Sequence, residues 1–176
     1  MIMHELSKDR VSPDKFTAVI EISKGSKVKY EIDEETGMLA LDRILSTSVA
    51  YPWNYGFIPR TYAFDGDPLD ILLVCSETIL PNTLVECKPL GLLKMIDGGD
   101  QDDKVIAVAT KDRFFKDFEN VDQLPKHLIE EIRHFFCVYK ALEGKVTEAK
   151  EMLDVEAAKD MIRVCIDRYN EEFPDM

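Results

Sequence analysis

Apolar and polar positions alternate along much of the first two thirds of the chain. Segment 16–22 alternates in this way, and so does segment 28–32, after a turn at Gly25-Ser26. A period of two is that of a half-buried β-strand, and a glycine-containing turn between two such segments is typical of a hairpin. The hairpin would carry three charged side chains on the face turned away from the core: Glu21, Lys29 and Glu31.

Further short apolar runs follow, separated by Gly, Pro, Asn and Asp, and they predict more strands. The strongest is Ile71-Leu72-Leu73-Val74, which has the composition of a strand buried on both faces. The other predicted strands are 39–45, 83–87, 90–96 and 104–109. A set of short strands of this kind is consistent with a small closed barrel.

After Pro125 the apolar period changes from two to three and four residues, which predicts a helix packed along one stripe. The stripe consists of Leu128, Ile132, Phe135, Tyr139 and Leu142. Gly144 is expected to end this helix. A second helix is predicted to begin near Asp154, a suitable N-cap residue, and to bury Ala158, Met161, Ile162, Cys165 and Tyr169.

The composition fits one globular domain over residues 1–176. The chain has 45% hydrophobic residues, enough for a core without disulfides or structural zinc. Its formal charge of −12 opposes attraction to nucleic acid or to anionic membranes, so neither is an expected partner. Scattered cysteines, no basic-apolar leader and no long apolar run favour a reducing, cytoplasmic location.

Two acidic loops are the main candidates for chemistry. The turn Asp65-Gly66-Asp67-Pro68-Leu69-Asp70 places three carboxylates within six residues, directly before the buried strand. The second loop, Asp97 to Lys104, also follows a predicted strand and contains four aspartates, among them Asp97 and Asp102. Carboxylates this close repel each other unless a cation lies between them, and oxygen ligands at this density suit Mg²⁺, Mn²⁺ or Ca²⁺. Each loop taken alone is more often a solvated turn.

Side chains able to hold phosphate accompany these acids. The cationic members are Lys29, Arg43, Lys104 and Lys140, and the hydroxyl donors are Tyr51, Tyr55 and Tyr139. Some of these tyrosine rings are expected to pack in the core. The six-residue turn has the wrong register for an EF-hand, and His4, His127 and His134 do not have zinc-ligand spacing.

At this point the sequence resembles the soluble family I inorganic pyrophosphatases of the bacterial type. The acidic turn matches their Asp-x-Asp-Pro-x-Asp signature. Further blocks occur in the family's order: 19–22, 29–33, 42–43, 51–56, 94–97, 102–104, 134–136 and 139–140. One departure is Gly98, since the family often has glutamate after this aspartate.

The resemblance implies a β-rich α+β fold, with an OB-like five-stranded closed β-barrel and flanking α-helices. It also implies hydrolysis of pyrophosphate to two orthophosphates, with Mg²⁺ as cofactor (Mn²⁺ or other divalent ions being possible), in a homo-oligomer, favoured to be a hexamer.

The same resemblance assigns the site residue by residue. Asp67 would be the general base on a metal-activated water. The metal ligands would be Asp65, Asp70, Asp97 and Asp102. Substrate would be held by Lys29, Arg43, Tyr55, Lys104, Tyr139 and Lys140. The supporting residues would be Glu21, Glu31 and Tyr51.

Two other functions remain open from the residues alone. A small barrel also suits a binding module, here a catalytically impaired one for metal or phosphate. The same groups would also suit a metal-dependent phosphatase acting on other phosphate esters.

Overall fold

The computed structural model describes residues 2–176. Nine strands lie at Phe16–Ile22 (β1), Val28–Ile32 (β2), Leu39–Ile44 (β3), Asn54–Phe57 (β4), Asp70–Val74 (β5), Thr83–Asp97 (β6), Asp100–Gln101 (β7), Lys104–Ala109 (β8) and Thr147–Leu153 (β9). Three α-helices lie at Ile2–Glu5 (α1), Lys126–Val138 (α2) and Val155–Glu172 (α3).

Five of the strands form a closed ring in the order β1-β4-β5-β8-β6, and β6 pairs with β1 to complete it. The pairings are antiparallel except for β5 with β8, which run parallel. At Gly56 the ring is so tight that a Cβ atom would lie 1.8 Å from the carbonyl oxygen of Val19. The closed ring confirms the predicted β-rich α+β class.

The alternation of side chains along the ring strands builds two buried clusters. Leu72 and Val74 of β5 lie in the cluster that includes Phe135 and Phe136 of α2. Ile71 and Leu73 lie in the other cluster, together with residues of α3. Because successive side chains of a strand point to opposite faces, each helix covers one face of the same strands.

The predicted hairpin between 16–22 and 28–32 is wrong. The strand β2 pairs with β3 in a separate two-stranded sheet, while β1 pairs with β4 and β6. Alternation indicates that a segment is a strand, but it carries no information about which strand it pairs with. Here the backbone groups of β1 bond to β4 and β6, and those of β2 bond to β3. The polar face expected for the first strand is also largely absent: Thr17 and Val19 are buried together with Phe16 and Ala18, because β1 is covered on both faces.

Two further expectations need correction. The predicted strands 83–87 and 90–96 are one strand, β6, with a register irregularity between Pro89 and Gly91. The helix stripe was extended too far, because α2 ends at Val138 and the chain continues as a 3₁₀ turn over Ala141–Glu143. Leu142 is therefore 78% exposed rather than packed.

The prediction that Gly144 ends the helix after Pro125 is also wrong, because Gly144, at φ 72°, caps the separate 3₁₀ turn. The predicted start of the second helix is confirmed, since Asp154 caps α3 by accepting a hydrogen bond from the Ala157 backbone N–H. Of the residues that this helix was expected to bury, Ala158, Ile162, Cys165 and Tyr169 are buried, while Met161 is only partly buried. All four cysteines are free, with only Cys137 exposed. Within residues 2–176, no helix combines the length and the apolar character that a membrane crossing requires.

Candidate active site

The site begins where the apolar rows of β5 and β8 end. Asp70 shares a face of β5 with Leu72 and Val74, so it continues the row that packs against α2. In the parallel register Asp70 lies beside Lys104, the first residue of β8. Strand alternation and the parallel register thus place a carboxylate and an ammonium group side by side at the edge of a hydrophobic core.

Lys104 is the central cation of this group and is only 2% exposed. Its Nζ lies 2.5 Å from Asp70 Oδ2 and 2.5 Å from Asp102 Oδ1. Burial alone would lower the pKa of Lys104, but the charges of Asp70 and Asp102 outweigh it and raise this pKa. The ammonium therefore stays charged between the two carboxylates.

Asp102 is the carboxylate most affected by this crowding. Burial raises its pKa to about 6, the charges of Asp70 and Asp65 add to the effect, and the Lys104 ammonium opposes it. Tyr55 completes the group, since its hydroxyl donates to Asp70 Oδ2 at 2.6 Å. Burial and the neighbouring carboxylates raise the Tyr55 pKa well above its usual value, so this hydroxyl remains a donor.

The turn that precedes β5 presents two more carboxylates, which are accessible to solvent. Gly66 adopts φ 92°, and the Asp67 backbone N–H donates to Asp65 Oδ1 at 3.1 Å. Partial burial, followed by the charges of Asp65 and Asp70, raises the pKa of Asp67. Partial burial also raises the pKa of Asp65, with Asp70 adding to the shift.

Asp97 belongs to a neighbouring group at the end of β6. Gly98 and Gly99, both at positive φ, form the two-residue turn between β6 and β7. Asp97 forms an ion pair with Lys140, and the hydroxyl of Tyr139 lies 3.5 Å from Asp97 Oδ2. The ring of Tyr139 packs in the α2-side cluster, so its hydroxyl alone faces the acid.

The two-stranded sheet contributes a third group. Lys29 forms ion pairs with Glu31 and with Asp42, the latter at 3.0 Å. Arg43, opposite Lys29 in the β2–β3 pairing, donates to Asp42 Oδ2 at 2.8 Å and to Glu143 Oε1 at 3.0 Å. These cations are therefore held by carboxylates on their own sheet and on the turn after α2.

Glu21 links the ring to this sheet. Its Oε1 accepts a hydrogen bond from the Ile32 backbone N–H at 3.0 Å. Burial raises the pKa of Glu21 to about 8, with Asp70 and Glu31 adding to the shift while the Ile32 N–H and Lys29 oppose it. The contact between β1 and β2 that the hairpin prediction anticipated is thus a side-chain bond rather than a strand pairing.

Part of the predicted set lines one cleft of about 460 Å³: Glu21, Lys29, Glu31, Tyr55, Asp67 and Asp70. Tyr51 is 2% exposed, with its ring 5.2 Å from that of Tyr55, so it supports the cleft from within the core. Four other predicted residues form two ion pairs that do not line this cleft: Asp102 with Lys104, and Asp97 with Lys140.

Comparison with known proteins identifies the family. The model of the inorganic pyrophosphatase family matches residues 18–170. This chain belongs to that family. The inorganic pyrophosphatase of Halalkalibacterium halodurans is 48% identical over 159 residues, which cover 90% of this chain and 98% of that protein. Soluble inorganic pyrophosphatase 3 of Arabidopsis thaliana is 46% identical over 168 residues, covering 96% and 78%.

A solved structure agrees over nearly the whole chain. The inorganic pyrophosphatase from Thermus thermophilus superposes with a TM-score of 0.91 at 39% identity, covering 97% of this chain and 99% of that one. The agreement confirms the predicted pyrophosphatase fold class. Membership of the inorganic pyrophosphatase family implies a divalent metal cofactor and pyrophosphate as substrate.

The oxygen donors of this pyrophosphatase fit such a metal. Asp65, Asp67, Asp70 and Asp102 lie near enough to perturb one another's ionisation or that of a neighbour. Within residues 2–176, no three acidic, His or Cys side chains already enclose a metal position. Three of the predicted ligands are instead paired with ammonium groups, Asp70 and Asp102 with Lys104 and Asp97 with Lys140. Hard carboxylate oxygens remain the donor type that Mg²⁺ and similar ions prefer.

Two residues that contact the predicted set were not among the sequence candidates. Asp42 bridges Lys29 and Arg43, and it belongs to the block 42–43 that matched the family, although no role was assigned to it. Glu143 pairs with Arg43 across 100 positions of sequence, and no local pattern announces it. Of its two carboxylate oxygens, Oε2 is buried without a hydrogen-bond partner, as is Arg43 Nη2.

Proposed function

We propose that this chain hydrolyses inorganic pyrophosphate to two orthophosphates, with Mg²⁺ as its cofactor and Mn²⁺ or other divalent ions as substitutes. One observation carries the proposal. Lysine, tyrosine and aspartate side chains converge on one cleft, in which the solvent-accessible Asp67 lies beside the cationic Lys29. A site with both charges in this arrangement suits a small polyanion and the cation that accompanies it.

The metal would be held by Asp65, Asp70, Asp97 and Asp102. When bound, the metal would acidify water and neutralise substrate charge, which are the two barriers to attack on an anionic phosphorus. Because ammonium groups now contact three of these acids, we expect the lysines to shift toward phosphate oxygens when metal and substrate bind. At each of these three carboxylates, the metal ion would then take the place of the ammonium group.

Asp67 would act as the general base. It lines the cleft and is exposed to solvent, and partial burial together with Asp65 and Asp70 raises its pKa, which makes it a stronger proton acceptor than an ordinary aspartate. Its backbone is fixed by hydrogen bonds at both the N–H and the carbonyl. A carboxylate held in place in this way can accept a proton from water as the oxygen attacks phosphorus.

Substrate would be held by cationic side chains and by tyrosine hydroxyl donors. Lys29 and Arg43 approach from the two-stranded sheet, and Lys104 and Tyr55 from the ring. Tyr139 and Lys140 approach from the end of α2. Donors fixed before the reaction stabilise the charge on the departing phosphate without reorganisation, so no covalent intermediate is needed.

A phosphate-release assay tests this function. The protein is supplied with pyrophosphate, ATP or a sugar phosphate, each with and without Mg²⁺. We expect release from pyrophosphate with Mg²⁺ and little from the other two substrates. Preferential release from ATP or the sugar phosphate would instead favour a general phosphatase, and no release at all would favour a metal- or phosphate-binding module.

The proposed assembly is the one that the family resemblance implies, while the proposed domain count and location rest on the composition of the chain. We propose a single domain over residues 1–176 that assembles as a homohexamer in the cytoplasm. Light scattering coupled to size-exclusion chromatography gives the molar mass in solution. A mass of about six chains supports the hexamer, and a mass of one to three chains contradicts it.

A further inference from the structure

The loop that carries the acidic turn is anchored to the C-terminal helix. Residues 59–69 form no strand or helix, so this part of the chain has no ladder of backbone hydrogen bonds to hold it. The two ends of the loop are joined to each other, since the Ile58 N–H donates to the Leu69 carbonyl and the Leu69 N–H donates to Thr61 Oγ1. The middle of the loop is tied to α3, which lies on the ring face opposite to α2, because the Tyr62 backbone N–H donates to the Cys165 carbonyl at 2.9 Å.

Arg168 provides the most extensive of these anchors. Its Nε donates to the Tyr62 carbonyl at 3.1 Å and its Nη2 to the Ala63 carbonyl at 3.3 Å. The guanidinium also lies 4.5 Å from the ring centre of Phe64 and 5.4 Å from that of Tyr62. One planar cation thus contacts three consecutive residues of the loop through two hydrogen bonds and two ring contacts.

Ala63 passes this anchoring on to the acidic turn. Its N–H donates to the Asp67 carbonyl at 2.7 Å, and its carbonyl also accepts from the Gly66 N–H at 3.3 Å. Two hydrogen bonds in series therefore connect Arg168 to the backbone of Asp67. The connection runs through backbone groups, and the hydrogen bonds of Arg168 go to the carbonyls of Tyr62 and Ala63 and not to the carboxylates of the turn.

We propose that Arg168 is a positioning residue that holds the carboxylates of Asp65 and Asp67 in the positions that the reaction requires, a role that rests on the proposed function. The turn needs such support because its exposed carboxylates repel each other and its central glycine is flexible. An error of about 1 Å in the position of a catalytic group can cost up to about 100-fold in rate. Arg168 counters this by tying the loop to a packed helix.

The test compares Arg168→Met with Arg163→Met. Arg163 is on the same helix, is exposed and forms an ion pair with the exposed Asp160 at 2.6 Å, so it is a matched control. The kcat and KM for pyrophosphate are measured at saturating Mg²⁺. Hydrogen–deuterium exchange of the 62–69 segment is measured on the same Mg²⁺-loaded samples and compared with exchange of the first two turns of α3.

For Arg168→Met we expect kcat to fall about tenfold or more with KM within about threefold, because positioning and not substrate affinity is lost. Exchange in 62–69 should quicken about tenfold, as loss of one or two hydrogen bonds requires, while exchange at the start of α3 stays unchanged. Arg163→Met should match the wild-type chain in all these quantities.

Arg168→Lys keeps the charge and the stem but cannot donate to both carbonyls in the guanidinium geometry, so it should show the same changes in weaker form. This variant decides the question if Arg168→Met does not fold. Unchanged exchange in 62–69, or faster exchange with an unchanged kcat, would overturn the proposal. Failure of the wild-type chain to release phosphate from pyrophosphate would instead refute the proposed function, and the exchange data would still show whether Arg168 holds the turn.

Discussion

Asp70 and Lys104 lie side by side in the parallel register of β5 and β8, and the Lys104 ammonium bridges Asp70 and Asp102 at 2.5 Å each. A lysine buried to this degree is stable only because two carboxylates compensate its charge. The same lysine separates two aspartates that would otherwise repel each other. It therefore serves both the fold and the site.

The first prediction concerns this ion pair. We expect Lys104→Met to destabilise the metal-free protein by about 3–5 kcal/mol, because removal of one partner leaves two carboxylates crowded at a buried position. Urea denaturation followed by circular dichroism measures the change. Lys126→Met is the matched control, since Lys126 is 91% exposed and its ion pair with Glu130 should contribute less than about 1 kcal/mol. Equal stabilities for the two variants would contradict the prediction.

The second prediction concerns Asp67, the proposed general base. Asp67→Asn should lower kcat by about two to four orders of magnitude, the usual contribution of a positioned base, and leave the fold intact. Phosphate release at steady state measures the rate, and circular dichroism checks the fold. Asp117→Asn, an exposed change outside the site, should have no effect. A near-wild-type rate for Asp67→Asn would remove this residue from the role.

The third prediction concerns metal removal. Divalent ions that bind the folded chain should raise its melting temperature, since binding at about 100 times the Kd adds about 2.7 kcal/mol of stability. EDTA should therefore lower the midpoint of thermal unfolding, and added Mg²⁺ should restore it. Melting curves that are identical with and without EDTA would show that the carboxylates bind no metal in solution.

The fourth prediction concerns pH and Glu21 in the metal-free protein. The folded pKa of Glu21 is about 8, against an ordinary value of 4.5, so the folded state binds the proton more tightly than the unfolded state. Stability from this group is therefore fully present below pH 4.5 and is lost as the pH rises to about 8, by up to about 1.4 kcal/mol per pH unit.

Glu21→Gln should remove this dependence. The amide keeps an oxygen to accept from the Ile32 N–H and introduces no charge facing Asp70 and Glu31, while the attraction to Lys29 is lost. At pH 8.5 the variant should therefore be more stable than the wild-type chain, and at pH 5 the two should be similar. Urea titrations at both pH values measure this, and parallel stability profiles would refute the raised pKa.

Local sequence patterns predicted some elements of the fold and missed others. The buried run at Ile71–Val74 and the capped helix that begins after Asp154 were predicted because composition and capping are local properties. The pairing of β2 with β3 and the whole of β9 were missed. Strand partners depend on contacts far apart in sequence, and β9 (Thr147–Leu153) has too many charged residues to read as a strand alone.

The candidate site divides in the same way. The two acidic loops were visible as charge clusters, and the family resemblance named the candidate members of the site. No pattern in the sequence indicated that Glu143 holds Arg43 or that Arg168 holds the acidic turn. Both contacts join segments separated by about 100 residues.

The sequence by itself determined most of the strands and the two long helices, where carboxylates crowd, and which family the chain resembles, because these depend on neighbouring residues. It did not show β4, β7 or β9 as strands. Only the tertiary structure decided that Lys104 compensates Asp70 and Asp102, and that α3 supports the loop of Asp67. The physical reason is that electrostatic compensation and loop anchoring act over a few ångströms of space. Closure of the five-stranded ring creates those distances, and no local pattern encodes them.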